Sequence, residues 1–357
     1  MKHFKHHQID KKKWDKCISS SKENIIYAFS WYLDCVSPYW EGFILESNNE
    51  YLAVMPLPVK KKYGIVFLQV PLFTQQLGIF SIKKLSSLEF KTFLILLQKK
   101  IKLVSNYPFN TINYQDFSTE FEEVFCEKEK EILKKHKTHH LFLQQNYATI
   151  RQSYKKDTKY RINQAQKKSF ESIQKTEIDD IDLLWQFFEK SVFLENGISK
   201  QAKPTLKNLF KILKEKNLVE LYYIQNLDKE ILSGVLFAKS EAFYNNNSIT
   251  KWIYLFNAAN PNNRRDESRR WFLDTFIQEK SNQEYTNIII NNFENQSKNS
   301  AYETILDFES AQEKEVARFY ASFGSEEKLF FVVDYNSLSN FFKRIQKIIQ
   351  FIKNKIL

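Results

Sequence analysis

Three strand-like apolar runs follow one another at 219–225, 231–240 and 251–256, with amphipathic helical stretches on both sides. A helix repeats its apolar residues every three to four positions and a strand every second one. A meander bracketed by helices buries its apolar face by laying those helices on the sheet. The pattern therefore predicts an α/β chain with a mixed α+β sheet.

The rest of the second half continues this alternation. A basic helix over 147–168 carries Arg151, Lys155, Lys156, Lys159, Arg161, Lys167 and Lys168. A short strand at 172–176 follows, then helices over 181–193 and 204–216, with Pro204 in the first turn of the second. A helix over 267–279 and an isolated strand-like run at 286–290 come next. The strand 303–307, a helix over 311–323 ended by Gly324, and the strand 328–334 close the pattern. In the first half, helices are expected at 10–19, after an Asp10 cap, at 27–37 and at 85–104. Strands are expected at 42–46 and 51–56, around a turn at Asn48-Asn49, and at 65–70, 111–117 and 141–145. The charged run 122–137 separates the last two. The reading gives domains at 1–140 and 141–335, followed by a basic amphipathic helix over 336–357.

Composition narrows the function classes. Of 357 residues, 43 % are hydrophobic, enough for a packed core rather than a disordered chain. The formal net charge of +11 favours anionic partners: CoA phosphates, nucleic acid or acidic lipid. Cys17, Cys35 and Cys126 are odd in number and lack CxxC spacing, which fits a reducing cytoplasm. No apolar segment resembles a signal peptide or a membrane span. The histidines at 3, 6, 7, 136, 139 and 140 lack a metal-ligand pattern, so no metal is expected. Nucleophile elbow, Walker loop and dinucleotide fingerprint are all missing.

The run Ala317-Arg318-Phe319-Tyr320-Ala321-Ser322-Phe323-Gly324 resembles the last motif of GNAT N-acyltransferases, Ala-x-x-Tyr-x-x-x-Gly. The resemblance implies that Tyr320 protonates a departing thiolate, with Asp307 or Glu309 as the group that accepts a proton from an amine. It also implies a donor site where a strand passes through a loop into a helix N-terminus. That order falls at Asn257, Asn260, Asn262, Asn263, Arg264, Arg265 and Ser268. GNAT loops carry glycine there and this one has none, although Asn tolerates the left-handed backbone.

A wider resemblance is to Fem-like proteins, which hold two GNAT-like domains in tandem. It rests on Ser30-Trp31-Tyr32-Leu33-Asp34 with Val54-Met55-Pro56-Leu57-Pro58, on Pro71-Leu72-Phe73-Thr74-Gln75-Gln76-Leu77-Gly78, and on the helix from Tyr154 to Ala165. In that helix Ile162 and Ala165 fit the family pattern, while Lys155 and Lys159 replace its Ser and Arg. The resemblance implies an acceptor bound between the domains beside Phe73, Thr74, Gln75 and Gln76. The donor is then acyl-CoA (acetyl-CoA), or aminoacyl-tRNA as Fem transferases use. The acceptor is an amine on a cell-wall precursor or a small molecule.

The expected protein is a cytoplasmic, bacterial acyl- or aminoacyl-transferase. Two rivals remain. Tyr154 and Tyr160 within the basic helix also suit a non-catalytic nucleic-acid-binding protein. The tail 338–357, with apolar residues largely on one side, suits peripheral attachment to the inner face of a membrane.

Overall fold

A computed structural model describes residues 1–62, 64–125, 132–191, 199–244, 247–263, 267–294, 302–309 and 313–338. The first half contains β1 (Lys2–Phe4), α1 (Lys11–Ser19), α2 (Ser30–Val36), β2 (Glu41–Ser47), β3 (Glu50–Leu57), β4 (Val59–Lys62), β5 (Ile65–Gln69), β6 (Phe80–Ser81), α3 (Ser87–Lys100), β7 (Leu103–Pro108) and α4 (Thr111–Phe125). Then come β8 (Leu133–Phe142), α5 (Tyr147–Gln152), α6 (Lys156–Gln166), β9 (Glu171–Lys175), α7 (Ile181–Ser191) and α8 (Ala202–Glu215). The meander is β10 (Val219–Gln225), β11 (Ile231–Tyr244) and β12 (Asn247–Ala259). The chain continues through α9 (Ser268–Glu294), β13 (Tyr302–Asp307), α10 (Lys314–Ala321) and β14 (Glu326–Asn336).

Local chemistry accounts for several boundaries. The Asp10 carboxylate accepts from the backbone N–H groups of Lys12 and Lys13 and starts α1. Ser86 and Glu89 form a capping box at the start of α3. Asn48 and Asn49 both take positive φ, 50° and 62°, as a two-residue hairpin turn between β2 and β3 requires.

Ten strands form one mixed sheet in the order β4-β5-β7-β14-β8-β13-β12-β11-β10-β9, and four form a smaller sheet, β1-β2-β3-β6. The expected α/β architecture is present. β14 lies between β7 and β8, so the two halves share one sheet. Helices α9 and α10 cover one face through Phe272, Leu273, Phe276 and Tyr320, with Phe323 just after α10. The other face packs against α7 and α8 and against the first half.

Four expectations are corrected. Residues 111–117 belong to α4, which kinks at Phe117, because the Asn110 side chain accepts from Asn113 N–H and starts a helix. Phe121 of that helix then packs on Phe90, Phe109 and Phe331. Of the charged run, 122–125 end α4 and 133–137 open β8, which is hydrogen-bonded to β13 and β14. Residues 286–290 continue α9 rather than forming a strand. The helix expected over 147–168 breaks at Ser153–Lys155. Lys155 is extended there, and its N–H donates to the Ser322 carbonyl at 3.0 Å, which ties the break to the end of α10. The tail helix, from 339 onward, lies outside the described residues. Among the described residues no helix is long and apolar enough to cross a membrane.

Candidate functional site

β12 and β13 pair in parallel from Ser248↔Tyr302 to Ile253↔Asp307. There β13 ends, while β12 runs on to Ala259 along β11. The two strands thus stop pairing at the end nearest α10. Tyr320 occupies this end. Its ring stacks on Phe308, with centroids 4.9 Å apart, and meets Tyr254 and His139 edge-on. The phenol is buried, which pushes its pKa up to about 12 against the opposing charge of Arg269, with Glu309 adding to the rise. Arg269, in the first turn of α9, lies over Phe319 and donates to Asn257 Oδ1 at 2.9 Å.

The carboxylates come from the same strand end. Strand alternation sends Leu306 and Phe308 to the helix-covered face and Asp307 to the other. Asp307 is buried and accepts from Thr138 Oγ1 (2.5 Å), from Glu309 N–H (2.9 Å) and from His140 Nε2 (3.1 Å). Burial alone would raise its pKa. The charges of His140 and Lys251, with these hydrogen bonds, outweigh burial and hold it at about 2. Glu309 follows with a left-handed backbone, φ 68°. Its side chain is 7 % exposed, Oε1 accepts from the Tyr27 hydroxyl, and Oε2 is buried with no partner among the described residues. Burial and the Asp307 charge lift the Glu309 pKa well above the carboxylate range. Two neighbouring acids are thus driven apart, one firmly ionised and the other ready to take up or release a proton.

The expected donor residues start at the end of β12. Asn260 Nδ2 donates to the Ile231 carbonyl (3.2 Å), and its backbone N–H donates to that of Leu232 (2.7 Å), so this side chain shapes the turn. Asn262 is exposed, and its N–H donates to Asn260 Oδ1. Ser268 is buried at the start of α9, with its Oγ 3.1 Å from Ser233 Oγ. Arg264 and Arg265 lie outside the described residues, as does the Asn263 side chain. At the mouth of α9, Glu267 takes φ 64° and accepts from Arg161 (2.7 Å) and Arg270 (2.8 Å). This carboxylate occupies the positive end of the helix, where an anion is favoured.

On the acceptor side, Phe73 takes φ 57°, packs edge-on against Phe256 at 5.9 Å, and accepts the Tyr32 hydroxyl at its carbonyl. The loop at Phe73 therefore touches the residue before Asn257. Thr74 is buried and bonds the Leu72 carbonyl, and Gln75 is exposed. Gln76 is buried, and its Oε1 has no partner among the described residues.

Sequence reading overlooked several groups here: Tyr27, Glu23, Lys251, Thr138 and His140 around the carboxylates, and Tyr254 beside Tyr320. Lys251 Nζ donates to Glu23 Oε1 at 2.5 Å in a fully buried ion pair, and Glu23 also accepts from Thr111 at 3.3 Å. Burial would lower the Lys251 pKa, but Glu23 and Asp307 more than offset this and raise it. The one available signal was the alternation of Thr138 and His140 just past the charged run 122–137.

No protein-family model matches the chain, and no curated protein sequence matches it. Solved structures do. FemX is 12 % identical, with a TM-score of 0.60 over 93 % of this chain and 97 % of FemX. A conserved protein of unknown function from Bacteroides thetaiotaomicron is 8 % identical, with a TM-score of 0.51 over 91 % of this chain and 97 % of that one. A tandem GNAT protein from the clavulanic acid biosynthesis pathway is 10 % identical, with a TM-score of 0.43 over 93 % and 96 %. At these identities the likeness is one of fold.

Proposed function

From a chain with a Fem-like tandem GNAT fold, we propose an acyl- or aminoacyl-transferase that moves an acyl group from a CoA thioester, or from aminoacyl-tRNA, to an amine held between the halves 1–140 and 141–335. The observation that carries this reading is Glu309. It is a buried carboxyl with a raised pKa and one unpartnered oxygen, and it stands at the strand end beside Tyr320. A carboxylate in this state is a stronger base than one in water, as abstraction of a proton from an ammonium or attacking amine requires.

In the proposed reaction the amine nitrogen attacks the acyl carbonyl carbon and Glu309 takes its proton. The tetrahedral intermediate collapses, the bond to sulfur or to the ribose oxygen breaks, and Tyr320 gives its proton to the leaving atom. Arg269 opposes the rise that burial imposes on the phenol and so keeps Tyr320 the better acid. Asp307 and Thr138 do not touch substrate in this scheme; Asp307 positions the Glu309 backbone through its N–H. Asn257, Asn260, Asn262, Asn263, Arg264, Arg265 and Ser268 form the donor side, and Phe73, Thr74, Gln75 and Gln76 the acceptor side. An aminoacyl-tRNA donor draws support from α6, where Tyr160 is 63 % exposed among Lys156, Lys159 and Arg161.

Transfer from radiolabelled acetyl-CoA and from charged tRNA to a panel of amines tests the proposal. Label appearing in an amine product, and lost in Tyr320→Phe and Glu309→Gln variants of normal stability, is the expected result. Full turnover by either variant removes that residue from the mechanism.

A further inference from the structure

On the sheet face opposite Tyr320 lies a cavity of about 710 Å³. Its floor is the starting half of β12 and β13 with the end of β8, and its roof is α4 and the segment Lys22–Asn24. The volume is that of a small-molecule site. It belongs neither to the slot beside Tyr320 nor to the loop at Phe73.

We propose that this cavity binds a free α-amino acid with an apolar side chain. Two opposite charges on adjacent strands carry the inference. Lys251 is 5 % exposed and lines the cavity. An ammonium has three N–H donors, and among the described residues Glu23 is the one hydrogen-bond partner of this one. A buried cation with spare donors in a polar cavity recognises a carboxylate. Glu303 lines the same cavity from β13, where Ile305 is the register partner of Lys251. Its carboxylate has no hydrogen bond or ion pair among the described residues, and its charge is felt at Lys251. The pair therefore offers a carboxylate site and an ammonium site on neighbouring strands, two residues out of register. Phe142, Ile249, Ile305 and Leu329 supply an apolar wall beside them.

The fold itself gains little from this arrangement. A buried ion pair such as Lys251–Glu23 contributes less to stability than apolar residues of the same size often would. The inference rests on the cavity alone and requires no transfer chemistry.

Isothermal titration with L-leucine and L-phenylalanine tests it, with isoamylamine, 4-methylpentanoate, phenethylamine and 3-phenylpropanoate as compounds lacking one charge. The amino acids are expected to bind the full-length protein, and their singly charged counterparts at least about tenfold more weakly. Glu303→Gln, which removes no buried ion pair, is expected to abolish the preference for amino acid over carboxylate at unchanged Tm. Lys251→Met alone leaves Glu23 buried and unpaired, so the double variant Lys251→Met with Glu23→Met is the companion, expected to lose amino-acid binding while staying folded. Tyr320→Phe is expected to bind amino acids as wild type does, which separates this site from the transferase reading. The proposal is overturned if wild type binds neither amino acid at millimolar concentration, if the singly charged compounds bind equally well, or if Glu303→Gln binds unchanged.

Discussion

Replacing Asp307 by Asn removes one negative charge from the middle of the buried network and leaves its shape nearly intact. In the native protein the carboxylate titrates at about 2, against an ordinary value of 3.8. A group whose folded pKa lies below its unfolded one stabilises the protein above the unfolded value, and that stability is lost as pH falls through the folded value. At about 1.4 kcal/mol per pH unit, the ionised Asp307 contributes roughly 2 kcal/mol at pH 7 and about half of that at pH 3. Asp307→Asn is therefore expected to lower unfolding free energy by roughly 2 kcal/mol at pH 7, with the deficit shrinking towards acid. A second effect has the opposite direction. The Asp307 charge helps hold the Glu309 pKa up, so its removal lets Glu309 ionise at lower pH. The acid limb of the transfer rate should then move to lower pH. Urea denaturation of both proteins at pH 7 and pH 3, with a pH–rate profile, measures both effects. Equal stability at pH 7, or a deficit as large at pH 3 as at pH 7, would refute this account of the network.

Other perturbations follow from the same geometry. Tyr27→Phe removes the hydrogen bond that lowers the Glu309 pKa, so the acid limb of kcat/KM should shift to higher pH while donor KM stays constant. Gly324 has φ 76°, and a Cβ added there would meet Ser153 Oγ at 1.9 Å, so Gly324→Ala should cost about 2–4 kcal/mol in thermal or urea unfolding, from the left-handed backbone and the clash together. Arg269→Met should push the Tyr320 phenol still higher and lower kcat by about tenfold or more, a part of the roughly hundredfold or greater contribution of one general acid, in steady-state assays.

How much was legible in the sequence follows the range of the interactions. The helix bearing Tyr320 was readable because its signals are local: a periodic apolar face and Gly324, whose positive φ closes the helix. Asn48-Asn49 and the Asp10 cap were readable for the same reason. The Lys251–Glu23 pair joins residues 228 positions apart, and no local pattern announces it. β8 carries Lys134, Lys135, His136 and Lys137, and looks like a solvated run until β13 and β14 are known to flank it. α4 was misread because Ile112 and Tyr114 alternate as in a strand, while the contacts that decide the matter, Phe121 with Phe90 and Phe331, come from elsewhere in the chain. Asp307 and Glu309 were singled out from position alone. Their opposite pKa shifts depend on burial, with His140 and Lys251 lowering Asp307 and the Asp307 charge raising Glu309, an environment that only the assembled fold creates.

The central claim is that Glu309 serves as the base of an acyl transfer to an amine. The direct measurement is single-turnover transfer from acyl-CoA and from aminoacyl-tRNA by wild type and Glu309→Gln, with donor affinity determined in parallel. The account predicts product with one of the two donors, and a fall of about a hundredfold or more in the variant at unchanged donor affinity. Wild-type protein that transfers from neither donor, or a variant that transfers at the wild-type rate, would contradict it.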